Sequence, residues 1–203
     1  SETTRSEKTI CPAGYYCTGG QKFECPAGSL GEAEGQWNPT CDGQCPRGYY
    51  CTGGEKHECG SVDKYCPAGS SAPTNVTTGH YSGPSDVNEN VRYEETICPV
   101  GYYCVGGEKF ECASGYFGNS TGLTTSQCSG MCKDGYYCES GSTRDDQNEC
   151  GSVDKYCPAG SETPLVVPDG YYSGPEDASE TTRSEKTICP AGYYCTGGQK
   201  FEC

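Results

Sequence analysis

Hydrophobic positions along this chain come in short bursts separated by glycine and charge. The commonest burst is Gly-Tyr-Tyr-Cys, at 14–17 and 48–51 and again further on, followed by a polar run and a second cysteine, as in GYYCTGGQKFEC (14–25). Tyrosine favours strands, Gly19-Gly20 supplies a tight turn, and Gln21 to Cys25 returns, so the pattern predicts a small β-hairpin. Successive strand side chains point to opposite faces. One tyrosine of each pair is thus expected to cover a disulfide and the other to face a neighbouring module. No window keeps the 3.6-residue period, with caps, that a helix requires. The stretches 67–97 and 158–188 lack cysteine, yet VTTGHYS (76–82), RYEETI (92–97) and LVVPDGYYS (165–173) carry strand formers and partial alternation. They predict short antiparallel β elements, with Pro84 and Pro175 following glycine in matching turns.

The bursts repeat at long range. Cys11 aligns with Cys98 and again with Cys189, and residues 1–25 return letter for letter as 179–203. Repeat one spans 1–87 (halves 11–41 and 45–87), repeat two spans 88–178 (halves 98–128 and 132–178), and 179–203 begins a third. CTGGEKHEC (51–59) becomes CESGSTRDDQNEC (138–150), four residues longer, at a position expected to be a hairpin tip, where insertions are tolerated. Each half of repeat one holds four cysteines: Cys11, Cys17, Cys25 and Cys41, then Cys45, Cys51, Cys59 and Cys66. Repeat two supplies Cys98, Cys104, Cys112 and Cys128, then Cys132, Cys138, Cys150 and Cys157. Cys189, Cys195 and Cys203 remain, and three cysteines cannot all pair among themselves. The expectation is a longer array continuing past Cys203 with a run like residues 26–41. Four cysteines allow three pairings, and spacing does not choose among them. An interlaced pattern, first to third and second to fourth, is the preferred expectation.

Composition decides between two classes. Val, Ile, Leu and Phe together number only 19 of 203 residues and the net charge is −14, a profile that alone points to disorder. Nineteen cysteines point instead to a disulfide scaffold, which constrains the unfolded chain where burial is too small to offset its entropy. Tyr (17) and Cys (19) exceed half of the hydrophobic third of the chain, so the core is expected to be many small clusters of ring and sulfur. The expected fold is small, disulfide-rich and mostly coil, a tandem array of short antiparallel hairpins with little or no helix. Bridges in this number imply an oxidising compartment, hence an extracellular or cell-surface protein. The acidic balance argues against nucleic acid as a partner, and no apolar run is long enough to span a membrane.

CPAGYYC (11–17), CASGYFGNSTGLTTSQCSGMCKDGYYC (112–138) and YCPAGSSAPTNVTTGHYSGP (65–84) resemble the ephrin-receptor-like cysteine-rich repeats, relatives of epidermal-growth-factor-like modules. The resemblance covers nearly the whole chain. It implies an extracellular, non-catalytic scaffold of the kind found in large surface proteins and flagellar hairs (mastigonemes) of single-celled eukaryotes. It carries over no catalytic residue and no particular partner.

Candidate chemistry is sparse. The only histidines, His57 and His80, stand where Phe23, Phe110 and Phe201, or Tyr171, stand in sister segments, so packing accounts for both. The closest cysteine pairs, Cys41/Cys45 and Cys128/Cys132, have three intervening residues, which suits disulfides better than zinc. DVNENV (86–91) starts like a calcium loop, but Val91 and Ile97 stand where Gly and Glu are required. A looser calcium site using Asp86, Asn88 and Glu89 is the weaker reading and a solvated acidic turn the stronger. Asn75-Val76-Thr77 and Asn119-Ser120-Thr121 match the N-glycosylation acceptor, so attached glycans are expected. The expected function is structural: self-association of stacked modules into an extracellular fibre or surface appendage. The alternative is a cell-surface receptor or adhesin ectodomain binding a protein or glycan.

Overall fold

The recurring local event is a turn with glycine in its third place. In the computed structural model, which describes residues 7–203, the Tyr15 N–H donates to the Pro12 carbonyl at 3.2 Å and Gly14 between them has φ +82°. Positive φ at that place makes the turn type II, which glycine adopts without strain. The same bond and the same positive φ recur at Gly28, Gly48, Gly69, Gly101, Gly115, Gly135, Gly160, Gly170 and Gly192.

Most of these turns feed a short strand, and the strands pair two by two into antiparallel hairpins. In chain order the pairs are β1 (Tyr15–Thr18) with β2 (Gln21–Glu24), β3 (Ser29–Leu30) with β4 (Gly43–Gln44), β5 (Tyr49–Thr52) with β6 (Glu55–Glu58), and β7 (Lys64–Tyr65) with β8 (Thr74–Asn75). β9 (His80–Gly83) then pairs with β10 (Glu94–Ile97), β11 (Tyr102–Val105) with β12 (Glu108–Glu111), and β13 (Tyr116–Phe117) with β14 (Gly130–Met131). The remainder are β15 (Tyr136–Tyr137) with β16 (Asn148–Glu149), β17 (Lys155–Tyr156) with β18 (Leu165–Val166), β19 (Tyr171–Gly174) with β20 (Glu185–Ile188), and β21 (Tyr193–Thr196) with β22 (Gln199–Glu202). Helix among the described residues is limited to a 3₁₀ turn at Glu89–Val91. The chain is therefore a disulfide-rich, hairpin-built repeat array. The two cysteine-free stretches supply β8 to β10 and β18 to β20, as their strand formers predict.

The chain divides into two compact units, one of Ser1–Thr77, Tyr81–Thr96 and Gly106–Glu108, the other of Thr78–His80, Ile97–Val105 and Lys109–Cys203. In the first unit successive layers are tied by backbone bonds. Gly14 N–H donates to Gly31 O (2.7 Å), Gly31 N–H to Gly54 O (2.9 Å), Gly28 N–H to Cys51 O (2.9 Å) and Gly48 N–H to Cys66 O (2.8 Å). The second unit repeats them in the same register: Gly101 to Gly118 (2.8 Å), Gly118 to Ser142 (2.9 Å), Gly115 to Cys138 (2.8 Å) and Gly135 to Cys157 (2.8 Å). Isolated parallel bridges reinforce the layers, Leu30 with Gly54 in one unit and Tyr137 with Ser161 in the other. The four extra residues of repeat two lie in the β15–β16 connection, where Thr143 N–H donates to Gln147 Oε1 (2.9 Å) and Arg144 pairs with Asp146 (2.7 Å). The tip absorbs the insertion and the layer bond at Ser142 survives.

The disulfides correct the interlaced expectation. They run in sequence, first to second and third to fourth: Cys11–Cys17, Cys25–Cys41, Cys45–Cys51 and Cys59–Cys66 in one unit. The other unit has Cys98–Cys104, Cys112–Cys128, Cys132–Cys138, Cys150–Cys157 and Cys189–Cys195. The turn explains the order. Pro12-Ala13-Gly14 reverses the chain between Cys11 and Cys17 and leaves their Cα atoms 5.8 Å apart, inside the range a bridge spans. Cys25 lies at the far end of β2, beyond the hairpin, where Cys41 comes within 6.0 Å. Cys203 is exposed and unbridged; its repeat equivalents Cys25 and Cys112 pair sixteen residues on.

Apolar burial is almost wholly cystine. Apart from Val167, every buried apolar residue among those described is a half-cystine. The tyrosines of the Gly-Tyr-Tyr-Cys bursts are mostly half-buried.

Candidate interaction surface

The four-residue hairpins that begin Tyr-Tyr-Cys, β1–β2, β5–β6, β11–β12 and β21–β22, present the same two faces. Tyr15 faces Glu24 and Cys17 faces Lys22 across β1–β2, while Tyr16 faces Phe23 and Thr18 faces Gln21. Alternation therefore places Tyr15, Lys22 and the bridged Cys17 on one side, and Tyr16 with Phe23 on the other. The register returns at β5–β6 and β21–β22. The first tyrosine therefore shares its face with a disulfide, and the second shares its face with the phenylalanine of its own hairpin.

On the second face the rings stack. Tyr16 and Phe23 have centroids 5.4 Å apart, Tyr103 and Phe110 5.4 Å, and Tyr194 and Phe201 5.2 Å. In β5–β6 a histidine takes the phenylalanine's place, with Tyr50 and His57 at 5.1 Å. The His57 Nε2 also lies 3.3 Å from Thr52 Oγ1. Phe23, Phe110 and Phe201 are 39%, 39% and 38% exposed, so three hairpins offer solvent the same aromatic edge to the same extent. Such pairs contribute about 0.5–1.5 kcal/mol beyond area burial. A Tyr194→Ala, Phe201→Ala double-mutant cycle in urea is expected to return a coupling of that size, and His57→Phe to leave stability unchanged.

On the first face a lysine lies over the tyrosine diagonally opposite. Lys22 is 4.1 Å from the Tyr15 centroid, Lys56 5.3 Å from Tyr49 and Lys109 5.0 Å from Tyr102, all in cation–π range. Lys200 reaches both Tyr172 (4.7 Å) and Tyr193 (5.5 Å) and pairs with Glu176. Its hydrogen bond, then its charge, holds the Glu176 carboxyl below the ordinary glutamate value; the same hydrogen bond chiefly raises Lys200. The surface is thus a repeated motif of stacked rings on one side and lysine-capped tyrosine on the other, set among acidic residues.

The remaining sequence candidates lie apart from these faces in role. Asn75 is exposed at the end of β8, and Asn119 is exposed just past β13 with its N–H donating to Ser129 Oγ at 3.1 Å. Asn88 caps the 3₁₀ turn, its side chain accepting from the Asn90 N–H at 2.9 Å, so its oxygen is engaged locally. Among the described residues no group of three His, Cys, Asp or Glu is placed to hold a metal. His80 is half-buried, its Nδ1 3.4 Å from Thr78 O. No helix among the described residues is long and apolar enough to cross a membrane.

Two arginines went unremarked in the sequence. Arg92 donates to Pro84 O and Arg183 to Pro175 O, each folding its guanidinium back on the Gly-Pro turn, with Nε of both buried. Their signal was present: an arginine at the same repeat position in two otherwise acidic segments, which a solvated linker would not require. No protein-family model matches the chain, and no curated protein matches it.

Proposed function

We propose that the chain is an extracellular structural repeat protein that builds a fibre or surface appendage, similar in kind to a flagellar-hair filament. The observation that carries the reading is the recurrence of one backbone register, Gly14 to Gly31 and Gly101 to Gly118 among others, in both units. A chain whose layers join by the same bonds each time presents the same surface at regular intervals, the requirement for ordered self-association. Nine disulfides support an oxidising, extracellular setting. The repeated aromatic edges supply contact area, and glycans on exposed acceptor asparagines complete the surface. The role is mechanical, with no catalytic step, and the modules resemble ephrin-receptor-like and growth-factor-like repeats in their cysteine and glycine spacing.

Electron microscopy of material from the native source tests this. Filaments with an axial periodicity matching the repeat are expected. Isolated monomers that bind a protein or glycan saturably would overturn the fibre in favour of a receptor or adhesin.

A further inference from the structure

We infer that Asn75 and Asn119 both carry N-linked glycans, and that the two repeats are decorated at non-equivalent places. The inference rests on the extracellular placement proposed above. In the modification the asparagine side-chain nitrogen displaces a polyprenyl diphosphate from the anomeric carbon of a lipid-linked oligosaccharide. The N–C bond forms, the C–O bond to the diphosphate breaks, and one amide proton is lost. Asn-x-Thr is the acceptor that this transfer requires. Transfer acts on the chain before it folds, so the folded structure imposes one condition: the modified side chain must have room.

Both sites meet it by different local means. β8 is two residues long and pairs with β7 alone, so Asn75, opposite Lys64, lies on an exposed ladder. The following Thr77 is exposed and its N–H donates to the Glu95 carboxylate, which holds the chain down beyond the attachment point and leaves Asn75 outward. In the other unit Asn119, Ser120 and Thr121 are all exposed, and the bond to Ser129 uses only the backbone of Asn119.

The alignment of the repeats makes the decoration alternate. Val166 stands at the place of Asn75 and is 69% exposed, while Glu32 stands at the place of Asn119. A sugar on Asn75 therefore covers a face that repeat two leaves bare and apolar, and a sugar on Asn119 covers a tip that repeat one leaves acidic. The sugars follow the double repeat, marked by the return of residues 1–25 at 179–203, even though the backbone follows the single one.

The test is peptide mapping of the native secreted chain after peptide-N-glycosidase digestion in heavy-oxygen water. Isotope-labelled aspartate is expected at both 75 and 119. In a secreting eukaryotic host, Asn75→Gln and Asn119→Gln are each expected to remove one step of the gel-mobility shift, and the double variant to remove all of it. Unmodified asparagine at either position in the bulk of the native chain overturns the assignment. Glycans without filaments would overturn the fibre alone, and bare filaments the glycans alone; free thiols throughout the native chain would overturn the placement beneath both.

Discussion

Reduction of the disulfides unfolds the chain at neutral pH, without heat or denaturant. The expectation follows from which apolar residues are buried among those described: half-cystines and Val167. Once reduced, those sulfurs remain small and apolar, but the chain regains the entropy that the bridges withheld. The chain-entropy relation assigns about 3 kcal/mol to the sixteen-residue closure at Cys112–Cys128 and about 2 kcal/mol to a six-residue closure such as Cys98–Cys104. Summed over nine bridges, the loss exceeds the whole stability of an ordinary domain, about 5–15 kcal/mol. Near-ultraviolet circular dichroism of the half-buried tyrosines should collapse on adding a thiol reductant. Removing one bridge at a time should order the closures by length, with Cys112→Ala/Cys128→Ala costing more than Cys98→Ala/Cys104→Ala in urea titrations. A reduced chain that keeps its tyrosine signal would refute the cystine core.

Gly115→Ala is the second large effect, and Gly69→Ala is its internal control. Both glycines occupy the third place of the same turn, each with φ +81°. An added methyl therefore meets the same backbone strain at each, about 1–2 kcal/mol. The surroundings differ. At Gly115 the methyl would lie 2.5 Å from the carbonyl oxygen of Gly160, whereas at Gly69 it would meet only the Gln44 side chain, at 3.8 Å. Backbone cannot swing aside as a side chain can, so the layer must open and the bond from Gly115 N–H to Cys138 O lengthens with it. Overpacking of this kind costs a further ~1–3 kcal/mol. Thermal or urea unfolding should show Gly115→Ala losing about twice as much as Gly69→Ala. Equal losses would mean that turn conformation, not close approach of layers, is why glycine stands there.

Much of this architecture was legible because it is local. Tyr-Tyr-Cys followed by Gly-Gly specifies a hairpin within twelve residues, and β1–β2 forms in that register. The insertion at 138–150 could be placed by comparing two copies of one segment, and it lies at a tip. His57 was legible in the same way, since its sisters are phenylalanines and it stacks as they do. Disulfide pairing was not legible. Cys11 lies six residues from Cys17 and fourteen from Cys25, and contour length permits either bridge. The choice is made by the type II turn at Gly14, whose geometry is not a property of spacing. The layer bonds were equally hidden, because Gly31 and Gly54 share no pattern that announces them as neighbours. The Arg92 and Arg183 contacts depend on a carbonyl eight residues back, and side-chain alternation is blind to that.

The near absence of buried aliphatic side chains bears on temperature. The heat-capacity change of unfolding scales with apolar surface newly exposed to water, and exposure of polar surface offsets it. Here the protected apolar surface is chiefly sulfur and partly covered tyrosine rings. With the bridges intact, the unfolded chain also stays too compact to hydrate all of it. The increment per residue thus falls below the usual ~12–15 cal/mol/K, and the stability curve is correspondingly flat. Cooling weakens such a protein little, since it relies little on the part of the hydrophobic effect that fades in the cold. An oxidised array of these layers would keep nearly the same stability from near-freezing to warm water.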